Sequence, residues 1–225
     1  MEFLYQIIPN VMNNLDALWV ATIETVQMLV LTTLFAVPIG TFFGVLLVVC
    51  RKDGLFENTP LWWILDKFIN LFRCIPFMIL VGMMFPLTRM IVGTTVFVAG
   101  AIPPLVAGTI PFFARQVESS LLEVDPGLIE ASKAMGDSPL QTVLRVYLKE
   151  SIPSIIRGIS ITMIALIANT TICGAFGAGG LGGYAYNHGY VRHQNDTTYV
   201  VVIILLLITT LIQSTSEYLY KKTSH

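Results

Sequence analysis

Residues 25–50 read TVQMLVLTTLFAVPIGTFFGVLLVVC and contain no Asp, Glu, Lys or Arg. A helix of about 20 apolar residues crosses the hydrocarbon core of a bilayer, so this stretch is long enough to span a membrane. The composition of the whole chain agrees, because 55% of its 225 residues are hydrophobic, only 12% are charged and the mean hydropathy is +0.74. These values exclude a disordered chain and a soluble globule, and they predict an all-α integral membrane protein.

Four other stretches without charged residues predict further membrane helices. The five predicted transmembrane helices cover residues 25–50, 74–88, 90–114, 158–191 and 197–216. The second stretch is short for a span, but apolar residues precede it at 68–72, and Arg73 can extend to the interface from a helix end. We therefore expect a polytopic protein with five transmembrane helices.

The positions of Lys and Arg predict the orientation of these helices. Eleven of the 13 basic residues fall in segments on one side of the predicted membrane, and only Arg89 and Arg192 fall on the other. Because basic residues are retained on the cytoplasmic side, we expect the N-terminus outside and the C-terminus in the cytoplasm. Five helices are few to enclose a channel, so we also expect a homodimer.

Several kinds of chemistry are excluded by the residues themselves. A net charge of -1 without a dense basic tract argues against a nucleic-acid partner. GAGGLG at residues 177–182 fits the dinucleotide pattern GxGxxG, but a predicted membrane helix precedes it where that pattern requires a strand. His188 and His193 lack a carboxylate or Cys partner, and no catalytic triad or carboxylate pair is visible. We expect no metal site, no cofactor and no catalytic residues.

The predicted spans also lack the charges of an ion-coupled transporter. Such proteins keep acidic or basic residues at mid-membrane, where the cost in free energy is tolerated only for function. Here Glu24 and Arg73 lie near predicted helix ends, and we interpret both as interfacial residues. This pattern argues against a secondary transporter.

The segment of residues 115–157, here called the charged segment, holds eleven of the 27 charges. Asp125-Pro126 is typical of a helix N-cap followed by a first helical proline, and Gly136 is typical of a helix end. Ser138 and Gln141 then have the spacing of a capping box. The sequence therefore predicts a helix, a glycine corner and a second helix.

Leu128, Ala131 and Met135 fall on one face of the first of these short helices. Two interpretations follow from this stripe. The charged segment is either a hairpin that packs on its own helix bundle or a docking element for a cytoplasmic partner.

The charged segment resembles the EAA loop of ABC-importer permeases. EASKAMG at residues 130–136, followed by VYL at 146–148, matches the family pattern except that Ser132 replaces its second Ala and Lys149 replaces its Pro. In that family the loop inserts into an ATPase subunit. The resemblance implies an ATPase-coupling role for Glu130, Ala131, Ser132 and Gly136.

Four further stretches resemble the methionine branch of that family, whose permeases have five helices per subunit. They are NLFRCIPF at 70–77, IVGT at 91–94, GLIEAS at 127–132 and GAFGAGGLG at 174–182. The resemblance implies one permease domain over residues 1–225, in the bacterial inner membrane. It also implies a second copy of the chain, two ABC ATPase subunits and an external substrate-binding lipoprotein. Without a Walker A motif here, ATP hydrolysis would take place on the partner.

Two polar or glycine-rich stretches have open interpretations. Asn169, Thr170 and Thr171 interrupt an apolar run, which is typical of helix packing, whereas the family register would bring them and Ile172 to the translocation pathway. Seven glycines between Gly174 and Tyr190 indicate either close backbone packing or a flexible external loop.

The function also has alternatives. A permease for another amino acid or a small peptide would carry the same charge pattern. A membrane scaffold that transports nothing would use the charged segment as a plain interaction surface.

Overall fold

The computed structural model describes residues 6–223, which are almost entirely helical and contain no strand within that range. The helices are α1 (Pro9–Met12), α2 (Leu15–Val49), α3 (Thr59–Cys74), α4 (Phe77–Val92), α5 (Phe97–Leu122), α6 (Pro126–Ala134), α7 (Pro139–Thr142), α8 (Ile152–Cys173), α9 (Gly180–Tyr184) and α10 (Asn195–Thr223). Wider π-helical turns follow three of them, at Val143–Tyr147, Gly174–Ala178 and Ala185–Val191, and a short helical turn covers Leu148–Glu150.

Four of these helices are long and apolar enough to cross a membrane: α2, α5, α8 with its following turn, and α10. The pair α3 and α4, separated by a bend at Ile75-Pro76, supplies a fifth span when it is taken as one unit. The predicted all-α polytopic architecture is therefore confirmed, with four spans, or five when the bent pair counts as one. The bounds differ, since α2 begins at Leu15 and α10 extends from Asn195 to Thr223.

The predicted span at residues 158–191 is present, but its bounds differ. Helix α8 begins earlier, at Ile152, and ends at Cys173. Gly177 and Gly179 then adopt φ values of +88° and +80°, which break the helical path. Hydrophobicity alone does not detect this break, because the glycine-rich stretch carries no charge.

Arg115 and Glu24, which lie just outside the predicted spans 90–114 and 25–50, are inside helices in the structure. Helix α5 continues through Arg115 to Leu122, because the guanidinium donates hydrogen bonds to Asp66 and, at 2.6 Å, to Glu118. Glu24 lies within α2, where its carboxylate accepts a hydrogen bond from a backbone amide of α9. Matched partners allow both helices to continue past a charge that would otherwise end the apolar stretch.

The described residues form two compact units. One unit contains those of Met1–Phe35 together with Ile75–Gly108 and Met163–Ile212, and the other contains Ala36–Cys74, Thr109–Thr162 and those of Gln213–His225. In the first unit Met28, Leu105 and Leu166 centre a core. In the second, Phe113, Val117 and Leu121 pack with Val48 and Val143.

Glycines bring α2 close to α5 within the second unit. A Cβ atom at Gly44 would lie 2.6 Å from Val117 Cβ, and one at Gly40 would lie 2.9 Å from a ring carbon of Phe113. Two glycines four residues apart place this approach on one face of α2, as in membrane helix pairs that pack through small residues.

Candidate functional site

The candidate site is the part of the charged segment formed by α6, the Gly136 corner and α7. Asp125 caps α6, since its Oδ1 accepts the Gly127 amide hydrogen at 2.7 Å, and Pro126 occupies the first turn. Ser138 caps α7 in a complete capping box with Gln141. The predicted helix boundaries are therefore confirmed, and each cap satisfies backbone donors that the first turn leaves free.

Gly136 closes α6 in a left-handed conformation, with φ at +86°. The Gly136 amide donates to the Lys133 carbonyl at 3.1 Å, and the Asp137 amide donates to the Ser132 carbonyl at 3.2 Å. This pair of bonds is the Schellman arrangement, which needs a residue that tolerates positive φ. The corner therefore depends on Gly136, as the sequence predicted.

Ser132 faces inward from this corner. Its side chain is fully buried, and its hydroxyl donates to Asp137 Oδ2 at 2.9 Å and lies 3.0 Å from the Thr142 hydroxyl, with which it forms a second hydrogen bond. Arg145 also reaches Asp137, at 3.5 Å. Of the four residues with an expected docking role, Ser132 therefore joins α6 to α7, and Glu130, Ala131 and Gly136 are exposed.

Large apolar side chains are exposed along the outer face of the same corner. The exposed fractions are 45% for Leu128, 78% for Met135, 59% for Leu140 and 57% for Leu144. The predicted stripe of Leu128, Ala131 and Met135 thus points away from the core of this chain. Sequence analysis missed Leu140 and Leu144, although their spacing of four residues after a capping box is a detectable signal.

A small cavity of about 190 Å³ lies beneath the start of α6. Its wall includes Glu130 and Lys133 from α6, Arg51, and the buried phenol of Tyr147. Burial raises the pKa of Tyr147, although the positive charge of Arg51 opposes the rise. The phenol therefore stays neutral, and Glu130 and Lys133 border both this cavity and solvent.

The candidate pathway residues lie on the last turns of α8. The Thr170 and Thr171 hydroxyls both donate to the Ile167 carbonyl, at 2.7 Å and 3.2 Å. Asn169 and Ile172 are half-buried, and the Asn169 side chain forms no hydrogen bond within residues 6–223. The two hydroxyls are thus satisfied inside their own helix, which leaves Asn169 as the free polar group of the four.

The glycine-rich residues after α8 pack backbone against backbone. A Cβ atom at Gly182 would overlap the Thr171 backbone, and one at Gly174 would lie 2.7 Å from the Gly182 carbonyl carbon. All five residues of α9 are buried. Of the two interpretations of this stretch, close backbone packing is the one that the structure supports.

Comparison with known proteins gives a consistent result along most of the chain. The family of binding-protein-dependent transport system inner membrane components matches residues 36–225. A protein of Vibrio cholerae named as a probable D-methionine transport system permease is 38% identical over 212 residues, which cover 94% of both chains. The methionine import system permease of Bacillus subtilis is 43% identical, covering 85% of this chain and 86% of its own.

Solved structures show the same relationship. A chain of the MetNI methionine ABC transporter, in an inward-facing conformation, has a TM-score of 0.92 and 38% identity, with 94% of this chain and 98% of that chain covered. An amino acid ABC transporter crystallised with histidines has a TM-score of 0.79 at 15% identity, which shows the fold alone. The chain therefore belongs to the family of inner-membrane components of binding-protein-dependent transport systems, and its apolar helices pass several times through the bacterial inner membrane.

Proposed function

We propose that this chain is the permease subunit of a methionine importer. The observation that carries the proposal is its similarity, over 94% of both chains, to a relative named for D-methionine transport. The Bacillus subtilis relative is named for methionine import as well. No other substrate is named among these full-length relatives, so neither another amino acid nor a small peptide is favoured.

The proposed assembly contains two copies of this chain, two ABC ATPase subunits and an external substrate-binding lipoprotein. The similar MetNI protein is an ABC transporter, and the matching family is binding-protein-dependent. ATP hydrolysis in this assembly takes place on the ATPase subunits. This chain supplies the membrane passage and the surface on which the ATPase acts.

The ATPase would dock on the outer face of the Gly136 corner. Leu128, Met135 and Leu140 expose apolar surface there, and Glu130 is exposed next to it. Burying one fully exposed large apolar side chain contributes about 1.5–3 kcal/mol, so these three side chains would favour docking, against the entropy cost of association. Ser132 supports this surface from below by joining α6 to α7.

The proposed orientation places this corner in the cytoplasm and the glycine-rich stretch outside. Single cysteines in a Cys-free background test it with an impermeant thiol reagent added to intact cells. Glu123→Cys and Asp137→Cys should be protected, and Asn195→Cys should react. External labelling of Asp137→Cys would reverse the orientation.

The proposed mechanism is alternating access driven from the charged segment. That segment runs from the last turns of α5 to the first turns of α8, and α8 carries Asn169, Thr170, Thr171 and Ile172. When ATP closes the ATPase subunits, the docked corners move and displace these helices, so that the pathway opens on the other side of the membrane. The pathway residues carry no charge, which suits a neutral zwitterion.

Reconstitution with the ATPase and the binding protein tests the proposal directly. ATP-dependent uptake of labelled methionine should occur without a proton gradient and should be inhibited by vanadate. Glu130→Lys places a positive charge on the docking surface and should abolish uptake and weaken ATPase retention, because a mispaired charge at an interface costs several kcal/mol. Lys221→Ala, an exposed change in α10, is the control and should have no effect.

Two results would contradict parts of this proposal. Uptake of another solute in place of methionine would reject the substrate and keep the permease. Normal uptake and normal ATPase retention in Glu130→Lys would reject the docking surface.

A further inference from the structure

Two neighbouring side chains of α2 hold the start of α9. Glu24 Oε2 accepts the Gly180 amide hydrogen at 2.6 Å, and the Thr25 hydroxyl accepts the Leu181 amide hydrogen at 2.8 Å. The same Thr25 hydroxyl donates to the Ala21 carbonyl at 3.0 Å, so its position on α2 is fixed. Both acceptors lie 156 residues away from their donors in the chain. These two bonds are here called the α2 clip.

The α2 clip replaces a cap that α9 cannot provide for itself. Its N-cap residue is Gly179, which has no side chain to accept the free amides of the first turn. A Cβ atom at Gly179 would overlap the Glu24 carboxylate, and one at Gly180 would lie 2.8 Å from the Thr25 hydroxyl oxygen. The two glycines therefore leave room for the clip, and the clip supplies the acceptors that they lack.

Helix α9 in turn packs against the end of α8 that carries the candidate pathway residues. Gly182 lies against the Thr171 backbone, and Gly174, just after α8, lies against Gly182 and Gly183. Because these contacts join backbone to backbone, they leave little freedom for α9 to move without moving the end of α8. The position of α9 therefore sets the position of Thr171.

The hydrogen bonds of the α2 clip can be broken by water, because Glu24 is accessible from one side. Glu24 borders an open cavity of about 370 Å³, whose wall includes Asp16, Tyr184 and His188. A hydrogen bond that an amide donates to a charged carboxylate is stronger than one to a neutral acceptor, yet here water can compete for the acceptor. Such a bond can form in one state of the transport cycle, where it holds α9, and break in another.

We propose that Glu24 and Thr25 are positioning residues for transport, which hold α9 and through it the Asn169–Ile172 turns of α8 in the geometry that lets substrate pass. This proposal rests on the proposed permease function. In this proposal neither Glu24 nor Thr25 contacts the substrate. This role differs from stabilising the fold: we expect that loss of the clip slows transport even by protein that is correctly folded.

Hydrogen exchange in the complete importer tests the contact itself. Glu24→Ala should raise the exchange rates of the Gly180 and Leu181 amides about tenfold or more, since each would lose or loosen its acceptor. Asp16→Ala removes the same charge from the same helix without removing the clip, and these rates should stay unchanged. Amides of α6 should be unaffected in both variants.

Methionine uptake, normalised to the amount of assembled importer, tests the positioning role. Glu24→Ala should lower the maximal rate about tenfold with KM changed less than about twofold, because a charge-assisted bond is lost while capture by the binding protein is untouched. Glu24→Gln keeps an acceptor oxygen and should recover most of the rate. Thr25→Val should be slow, and Thr25→Ser, which keeps the hydroxyl, should be close to wild type.

The outcomes separate this proposal from the proposed function. Unchanged exchange at Gly180 and Leu181 in Glu24→Ala overturns the clip, whatever the substrate is. Raised exchange with a wild-type maximal rate overturns the positioning role. Absence of methionine uptake in the wild type rejects the proposed substrate instead, and the exchange rates alone then decide whether the clip exists.

Discussion

The Gly136 corner and the glycine-rich turn after α8 both use a left-handed glycine to end a helix, but they are anchored in opposite ways. At Gly136, the side-chain bond from Ser132 to Thr142 joins residues ten positions apart. After α8, the bond from Gly180 to Glu24 joins residues 156 positions apart. One corner is held from within its own segment, whereas the other is held by a distant helix.

This difference in anchoring determines which surface each corner presents. In α6 Ser132 is buried and Ile129 is half-buried against the core, so the other seven residues remain free for a partner. In α9 every residue is buried, so nothing remains free. A locally anchored corner can therefore serve as a docking surface, while a corner anchored at long range transmits position inside its unit.

The largest expected effect comes from breaking the distant corner with Gly174→Ala. The new methyl group would meet backbone atoms of Gly182 and Gly183, which cannot rotate away as a side chain can. We expect a loss of about 3 kcal/mol or more of stability and little protein in the membrane, because overpacking against backbone is not relieved locally. The measurement is the melting temperature in detergent, with size-exclusion chromatography as the readout of folded protein.

Gly82→Ala in α4 is the matched control. A Cβ atom at Gly82 meets nothing within 4 Å, so this variant should be as stable as the wild type or about 0.5–1 kcal/mol more stable. Equal melting temperatures for the two variants would show that the glycine-rich turn is not closely packed.

A smaller effect is expected from Gly136→Val at the local corner. No atom lies within 4 Å of a Cβ there, so the cost is backbone strain alone, about 2 kcal/mol for a β-branched residue at positive φ. The protein should remain inserted, while ATP-driven uptake and ATPase retention are lost. Gly136→Asn, which tolerates positive φ, should keep most of the uptake, and equal loss in both variants would exclude strain as the cause.

The same contrast explains how much of the fold could be predicted from the sequence. Charge-free stretches predicted the five membrane segments, because lipid forces each to be apolar over its length. Asp125, Gly136 and Ser138 predicted the local corner, since caps act over two to four residues. Helix ends were wrong at Arg115 and Glu24, where groups distant in sequence, the Asp66 carboxylate and the Gly180 amide, form hydrogen bonds with the charged side chains.

The candidate site was also predicted only in part. Glu130, Ala131 and Gly136 are exposed as a docking role requires, but Ser132 is buried in the Asp137 and Thr142 hydrogen bonds. The sequence shows a small polar residue there and not the direction in which it points. The α2 clip gave no local signal, because Gly179 and Gly180 meet their acceptors only after the chain has folded.

Ser132→Ala tests the internal anchor of the local corner. It removes the bonds to Asp137 and Thr142, yet Thr142 still donates to the Ser138 carbonyl at 3.3 Å and Asp137 still meets Arg145. We expect a loss of about 1 kcal/mol in stability and a partial loss of ATPase retention. Ala131→Ser, an exposed change beside it, is the control, and full retention in Ser132→Ala would show that the capping bonds alone hold the corner.

The smallest effect is expected from Asp125→Ala at the start of α6. Its carboxylate accepts one amide hydrogen, from Gly127 at 2.7 Å, and it stands at the helix end where a negative charge is favourable. Because the cap is exposed to water, its loss should cost only about 0.5–1 kcal/mol, seen as faster hydrogen exchange in the first turn of α6 and not as lost uptake. Asp125→Asn keeps the acceptor oxygen without the charge and should show about half of that change. Loss of uptake in Asp125→Ala, as expected for Gly136→Val, would show that the start of α6 is itself part of the docking surface. The cap at Asp125 would then do more than stabilise the helix.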